Sequence, residues 1–236
     1  MPLDCKKIKL LEEIFQIKTT DPMLFERALT HSSFTKENEI TPLKNYERLE
    51  FLGDAVLKLC VSDILYKKYP NYMEGELTKI RSIIVSDATL AKITTKIGLS
   101  SLIVLGKQAE KMGDRDRTSI LACVFESILG AYFIEGKFSE ISNFLKVILD
   151  AFIVEVDENF EKFNAKAILQ EYTQSKTKIT PEYRIADESG PSHNKTFLVE
   201  VSYSGDVLAV AEGKTKKEAE QKCAHLACIK LGVIKQ

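Results

Sequence analysis

The chain has 236 residues, 44% of them hydrophobic and 28% charged, with a net charge of -1. The length allows one or two domains with a sizeable core, and the composition is that of a soluble globular protein. The charge balance excludes a wholly basic nucleic-acid binder, so any basic surface must be local.

Residues 1–15 carry charges every few positions, which argues against a signal peptide. No stretch has the apolar length of a membrane span, so no membrane partner is expected. The five cysteines, Cys5, Cys60, Cys123, Cys223 and Cys228, show no CxxC pairing and read as reduced thiols of a cytoplasmic protein.

Residues 1 to about 155 read almost wholly as helices. Leu10, Leu11, Ile14 and Phe15 make an amphipathic first helix, and Asp21-Pro22 starts a second through Leu24, Phe25 and Leu29. His31 follows in Thr30-His31-Ser32-Ser33. With no second His nearby to share a metal, it reads as a hydrogen-bonded structural residue. The next helix opens at residues 46–57 and runs to Tyr69, where Pro70 stops it. Leu49, Leu52 and Val56 form its apolar stripe. Glu47, Glu50 and Asp54 recur at the same spacing on another face, one carboxylate per turn. Neighbouring charges there sit about 6 Å apart. At an effective dielectric of about 20 that is roughly 3 kcal/mol of repulsion per pair. Two readings stand: a solvated acidic face, or a packed row compensated by a hard divalent cation with oxygen ligands.

Glu74 lies in a loop, residues 73–76, before a helix carrying Leu77, Ile80, Ile83 and Ile84. Ser86 can cap the following helix, which Gly98 ends. A polar loop, residues 113–117, precedes a strongly apolar helix, Thr118–Ile134, with Thr118 or Ser119 as its cap. Cys123 and Glu126 share one face of it. A lone carboxylate in so apolar a helix is costly to bury without a partner. That partner is either whatever neutralises the first acidic row or an arginine such as Arg48 or Arg81.

Residues 155–163 are acidic and weakly patterned, a linker or a last fraying turn. Beyond them Ala167, Leu169 and Tyr172 suggest a helix, and alternation then marks three strands. A final helix over residues 216–231 is expected to bury Ala219, Cys223, Leu226 and Ala227. Thr215-Lys216-Lys217-Glu218 is a capping box at its start. Cations in a first helical turn are unfavourable by about 0.3–1 kcal/mol each, unless an anion such as a phosphate docks there. The alternative is a set of solubilising surface lysines.

Residues 46–57, with Glu74-Gly75 and Ser119-Ile120-Leu121-Ala122 running on to Glu126, resemble bacterial ribonuclease III. The remainder resembles a double-stranded-RNA-binding domain. Its marks are Leu169-Gln170-Glu171-Tyr172, Tyr183, Gly190-Pro191-Ser192-His193 with Lys195-Thr196-Phe197, and Gly213 with Lys216-Lys217-Glu218-Ala219-Glu220-Gln221. The resemblance implies an all-α nuclease domain over 1–155, a linker over 156–163 and a small α-β-β-β-α domain over 164–236. It implies Glu50, Asp54 and Glu126 as ligands of Mg²⁺ (or Mn²⁺), with Asp54 and Glu126 most directly tied to catalysis. Glu47 and Glu74 match acids lining the cleavage valley. Gln170, Glu171 and His193 match minor-groove contacts to double-stranded RNA, and Lys214, Lys216 and Lys217 match phosphate contacts. The family acts as a homodimer, with Phe51 and Leu52 near the interface. Each strand of a duplex is cut once, leaving 5′-phosphate and 3′-hydroxyl ends in rRNA and mRNA processing.

Two departures stand out. The family places a metal-ligand Asp where this chain has Cys123, and a neutral thiol is a soft ligand better suited to Zn²⁺ than to Mg²⁺. Attenuated activity, a shifted metal preference and RNA binding without cleavage are the three consequences that compete. Ala211 replaces a frequent Gly, with minor effect expected.

Overall fold

The computed structural model describes residues 5–190 and 195–234. It divides into two compact units, Met1–Val154 and Glu155–Gln236.

The first unit is helical. Its helices are α1 (Cys5–Phe15), α2 (Pro22–Leu29), α3 (Ser32–Glu37), α4 (Glu47–Lys68), α5 (Glu74–Ile84), α6 (Asp87–Lys96), α7 (Lys107–Lys111), α8 (Thr118–Ile134) and α9 (Phe138–Glu158). Several starts follow from local chemistry. Asp21 Oδ1 accepts from the amides of Met23 and Leu24, and Pro22 supplies the first helical position of α2. Gly98, at φ +76°, turns the chain after α6 in a conformation that glycine adopts without strain. Helix α8 lacks the expected hydroxyl cap: it begins at Thr118, and the residue before it, Arg117, makes no side-chain cap bond.

α8 is buried almost all round. Ile120, Leu121, Val124, Phe125, Ile128 and Leu129 are each under 5% exposed. Phe15, Phe25, Phe125 and Tyr132 pack as tilted rings, with centroids 4.6–6.4 Å apart in the contacting pairs. The Tyr132 hydroxyl donates to Ile17 O at 3.2 Å. No helix among the described residues is long and apolar enough to cross a membrane.

The stretch read as a linker is helical. α9 runs on to Glu158, and a short α10 (Phe160–Phe163) follows. The second unit then continues with α11 (Ala165–Thr177), β1 (Glu182–Ser189), β2 (Thr196–Tyr203), β3 (Asp206–Gly213) and α12 (Lys216–Lys230). The strands form one antiparallel sheet in the order β1-β2-β3. Val199 and Val201 of β2 pack on Leu169 of α11 and on Ala219, Cys223, Ala224, Ala227 and Cys228 of α12. Leu226, expected inside, is 46% exposed. The buried stripe of α12 is centred on Cys223 and Ala227, and Leu226 falls at its margin. Ile185 of β1, beside a register shift, is likewise 41% exposed.

Candidate active site and RNA interface

The crossing of α4 and α8 is set by two glycines. A Cβ placed on Gly53 would lie 1.7 Å from Glu126 O, and one on Gly130 would lie 2.3 Å from Leu49 O. Each helix presses its glycine onto the other's backbone, so side chains one turn away meet across the seam. Glu50 and Asp54 flank Gly53 on α4. Glu126 is the residue that Gly53 touches.

The start of α4 is fixed by Asn45, whose Oδ1 accepts from the Glu47 amide at 3.0 Å. Glu47 and Glu50 therefore fall in the first turn, where the helix dipole favours negative charge. Ser86 caps α6 through Thr89 N, which puts Asp87 in the first turn of that helix. The buried Thr94 hydroxyl donates to Leu121 O at 3.1 Å and ties α6 to α8.

The electrostatics show that these acids share one neighbourhood. Burial, and then the charges of Asp54, Glu50 and Asp87, push the Glu126 carboxyl up to about 8, with Lys58 the opposing cation. Burial also raises the Glu50 carboxyl. The charges of Glu47, Asp87 and Asp54 add to the rise, against a hydrogen bond from Cys123 that lowers it. Among the described residues no arginine pairs with Glu126, and Arg81 donates instead to Ser62 and Thr78.

Two contacts keep the carboxylates apart. Lys58 Nζ lies 2.7 Å from Asp54 Oδ2. Cys123 Sγ donates to Glu50 Oε1 at 3.2 Å. Among the described residues no three His, Cys, Asp or Glu side chains already close into a metal-binding group. The donor set nonetheless fits a hard divalent cation. It is all oxygen, it is mutually repulsive, and Lys58 is an exposed i,i+4 partner that can swing away. Cys123 is a poor ligand by contrast. Burial, the bond to Glu50 and the surrounding acids push its thiol up to about 12 in the metal-free protein.

Glu74 stands apart. It is exposed at the first position of α5, takes a hydrogen bond from Thr78 Oγ1 at 2.9 Å, and is not among the charges acting most strongly on Glu50 or Glu126. His31 is half-buried, and its Nδ1 accepts from the Ser33 amide at 3.1 Å, which leaves the hydrogen of the neutral ring on Nε2. Burial holds its pKa low, while Asp114 and Glu47 pull the other way.

In the second unit the lysines gather at one turn. A Cβ on Gly213 would lie 2.4 Å from Ala219 N, so the end of β3 runs directly onto the start of α12. Thr215 Oγ1 accepts from Glu218 N at 3.1 Å, and Glu218 Oε2 accepts from Lys214 N at 2.9 Å. The return bond thus reaches one residue further back than a standard capping box. Lys214 Nζ donates to Thr196 Oγ1, and Lys216 Nζ sits 5.5 Å from the centre of the Phe197 ring. Lys216 and Lys217 are exposed in the first turn of α12, and Gln170 and Glu171 are exposed on α11. The His193 expectation lies outside the described residues.

A Ribonuclease-III-like family model matches residues 21–152, and a double-stranded RNA binding motif matches residues 165–231. A curated "Ribonuclease 3" from Natranaerobius thermophilus is 40% identical over 233 residues, which is 98% of this chain and 99% of that one. The chain belongs to the ribonuclease III family. It is similar also to the Bacillus licheniformis "Ribonuclease 3", at 38% identity over 96% of this chain and 90% of that one. Among solved structures it is similar to the nuclease domain of Campylobacter jejuni ribonuclease III, with a TM-score of 0.56 and 35% identity. That match covers 61% of this chain and 96% of the other.

As a ribonuclease III family member the chain is an endoribonuclease with a nuclease domain and a double-stranded-RNA-binding domain. Sequence reasoning missed Asp87. The available signal was an acid directly after a capping serine, in a first helical turn like that of Glu47 and Glu50. Nothing in the local pattern says that this helix start faces Glu126.

Proposed function

We propose that this ribonuclease III family chain cuts double-stranded RNA with the help of Mg²⁺ held by Glu50, Asp54 and Glu126. The observation that carries the proposal is the contact of Gly53 with the backbone of Glu126, which brings acids from two distant helices to one place. A divalent cation bound there supplies Lewis-acid chemistry, activating water and offsetting charge on the phosphoryl group. Asp54 and Glu126 orient the hydrolysis. Glu47 and Asp87 add negative potential that favours cation entry, and Glu74 lines the outer valley. Each strand is cut once, leaving 5′-phosphate and 3′-hydroxyl ends, and rRNA and mRNA precursors are the substrates.

Residues 1–155 are the nuclease domain, and 164–236 grip the duplex by its shape. Gln170, Glu171 and His193 face the minor groove, and Lys214, Lys216 and Lys217 face phosphates. Two copies work together. The Campylobacter jejuni relative has a region involved in dimer formation, and α4 here exposes Phe51 at 82%, beside the acidic row, and Leu59 at 58%, farther along the helix. Cys60, Cys123, Cys223 and Cys228 are free thiols, in keeping with a cytoplasmic setting.

The test incubates purified protein with a duplex RNA in Mg²⁺ or Mn²⁺, with EDTA as control. Cleavage of both strands that EDTA abolishes is the expected result. Tight binding without any cut strand would leave an RNA-binding dimer in which Cys123 has cost the chain its cleavage.

A further inference from the structure

His31 sits where three segments meet. Its amide donates to Val104 O at 2.9 Å, and Val104 N donates to Leu29 O at 2.8 Å. Thr30 O, one residue back, accepts from Tyr46 N at 3.0 Å. The backbone around His31 is therefore pinned to the 104–106 segment and to the residue that opens α4. The ring is the part left to change state.

That ring ends a directed run of hydrogen bonds. Gly106 N donates to Ser33 Oγ at 3.0 Å. Ser33 Oγ lies 2.8 Å from His31 Nδ1, and Ser33 N donates to the same nitrogen at 3.1 Å. Because Nδ1 accepts from the amide it carries no hydrogen, so the hydroxyl must donate to it as well. One bare nitrogen thus caps α3 and, through Ser33, holds Gly106. The approach is close: a Cβ on Gly106 would lie 2.8 Å from Ser33 O and 2.6 Å from Glu37 Oε2.

A proton on Nδ1 ends both acceptances. The Ser33 amide loses its partner, and the hydroxyl must turn round to accept from the ring. We propose that His31 is a pH-operated cap: the neutral ring fastens the start of α3 to the 104–106 segment, and protonation releases it beside the first turn of α4.

Several groups set where the change falls. Burial, the largest influence, opposes the proton. Asp114, in the turn before α8, and Glu47 of α4 favour it, while Lys36 of α3 and Arg117 oppose it. The Tyr46 ring packs 5.6 Å away. The ring therefore changes state below its ordinary 6.5.

The test follows the full-length protein by NMR from about pH 8 to 5. His31 is assigned among the three histidines by its absence in His31→Asn. At the upper end its ring should be the Nε2–H tautomer. As it protonates, the Ser33 amide should lose about fivefold in hydrogen-exchange protection, the equilibrium worth of a typical N-cap. His31→Asn keeps an acceptor that does not titrate, so Ser33 protection should then be independent of pH. Ser33→Ala should lower the protection of Gly106 at every pH. Three results overturn the proposal: an Nδ1–H tautomer in the neutral ring, Ser33 protection that ignores the His31 titration, or an acid loss that persists in His31→Asn. Should that variant fail to fold, wild type alone decides, because the loss at Ser33 must share the His31 midpoint and not that of general acid unfolding.

Discussion

The two candidate functional regions solve opposite electrostatic problems by opposite means. At the α4–α8 crossing the charges are carboxylates on half-buried positions, and helices in direct backbone contact fix their spacing. At the start of α12 the charges are exposed lysines on a single turn, with Lys214 bonded to Thr196 and Lys216 over the Phe197 ring. Repulsion in the first region is concentrated by burial, so one cation relieves much of it. In the second it is diluted by solvent, and many weak contacts add. On the proposed function, chemistry depends on geometry that a single methyl group can break, whereas grip depends on charges that can be removed one at a time.

The sharpest way to break the contrast is Gly53→Ala. Its Cβ would have to occupy a point 1.7 Å from Glu126 O, with Gly130 N at 3.0 Å. Neither neighbour is a flexible side chain, so α4 and α8 must move apart. The cost should reach about 3 kcal/mol or more, lowering the melting temperature by roughly 10 °C and abolishing cleavage. A Gly53→Ala protein that melts and cuts like wild type would show that the helices do not touch.

Glu126→Gln isolates the chemistry without disturbing the seam. Cleavage should fall on the order of 10²–10³-fold while the affinity for duplex RNA stays within about twofold, because the lysine turn is untouched. Gel shift and strand-cleavage assays on the same preparation measure both quantities. Lost affinity would point to misfolding instead.

The acidic row on α4 was legible because charge periodicity is local: three acids at helical spacing beside an apolar stripe need no tertiary knowledge. The lysine turn was legible for the same reason, since Thr215 and Glu218 mark the helix start. What the chain order hides is pairing between distant segments. Asp87 looks like an ordinary first-turn acid until α6 is packed on α8. Cys123 reads as a soft ligand until Glu50 is found taking its hydrogen. Lys216 reads as a free cation until Phe197, on another strand, is placed beneath it. The burial expected of Leu226 failed for a related reason: apolar identity alone cannot tell the centre of a helix stripe from its edge.

Lys216→Ala combined with Lys217→Ala probes the additive side of the comparison. Binding to duplex RNA should weaken whatever its sequence, and the slope of log affinity against log salt should flatten by roughly two. Binding titrations at several salt concentrations measure it. An unchanged slope would return these lysines to the role of solubilising surface groups.

The smallest expected effect concerns Asp87. In the metal-free protein the Glu126 carboxyl titrates at about 8 rather than at its ordinary 4.5. Below pH 4.5 the group is protonated in both folded and unfolded chains and contributes nothing. Between about 4.5 and 8 the unfolded chain is ionised while the folded one holds its proton, so stability falls as pH rises, and the fall ends above about 8. Melting curves in EDTA should show this loss, Mg²⁺ should reverse it, and Glu126→Gln should remove its contribution. Asp87 is the third of the three acids that raise Glu126, after Asp54 and Glu50. Asp87→Asn should therefore shift the upper end of the window below 8 and blunt the loss without erasing it. A melting profile for Asp87→Asn that overlays wild type across the whole window would place Asp87 outside the acid cluster. The crossing of α4 and α8 alone would then account for the state of Glu126.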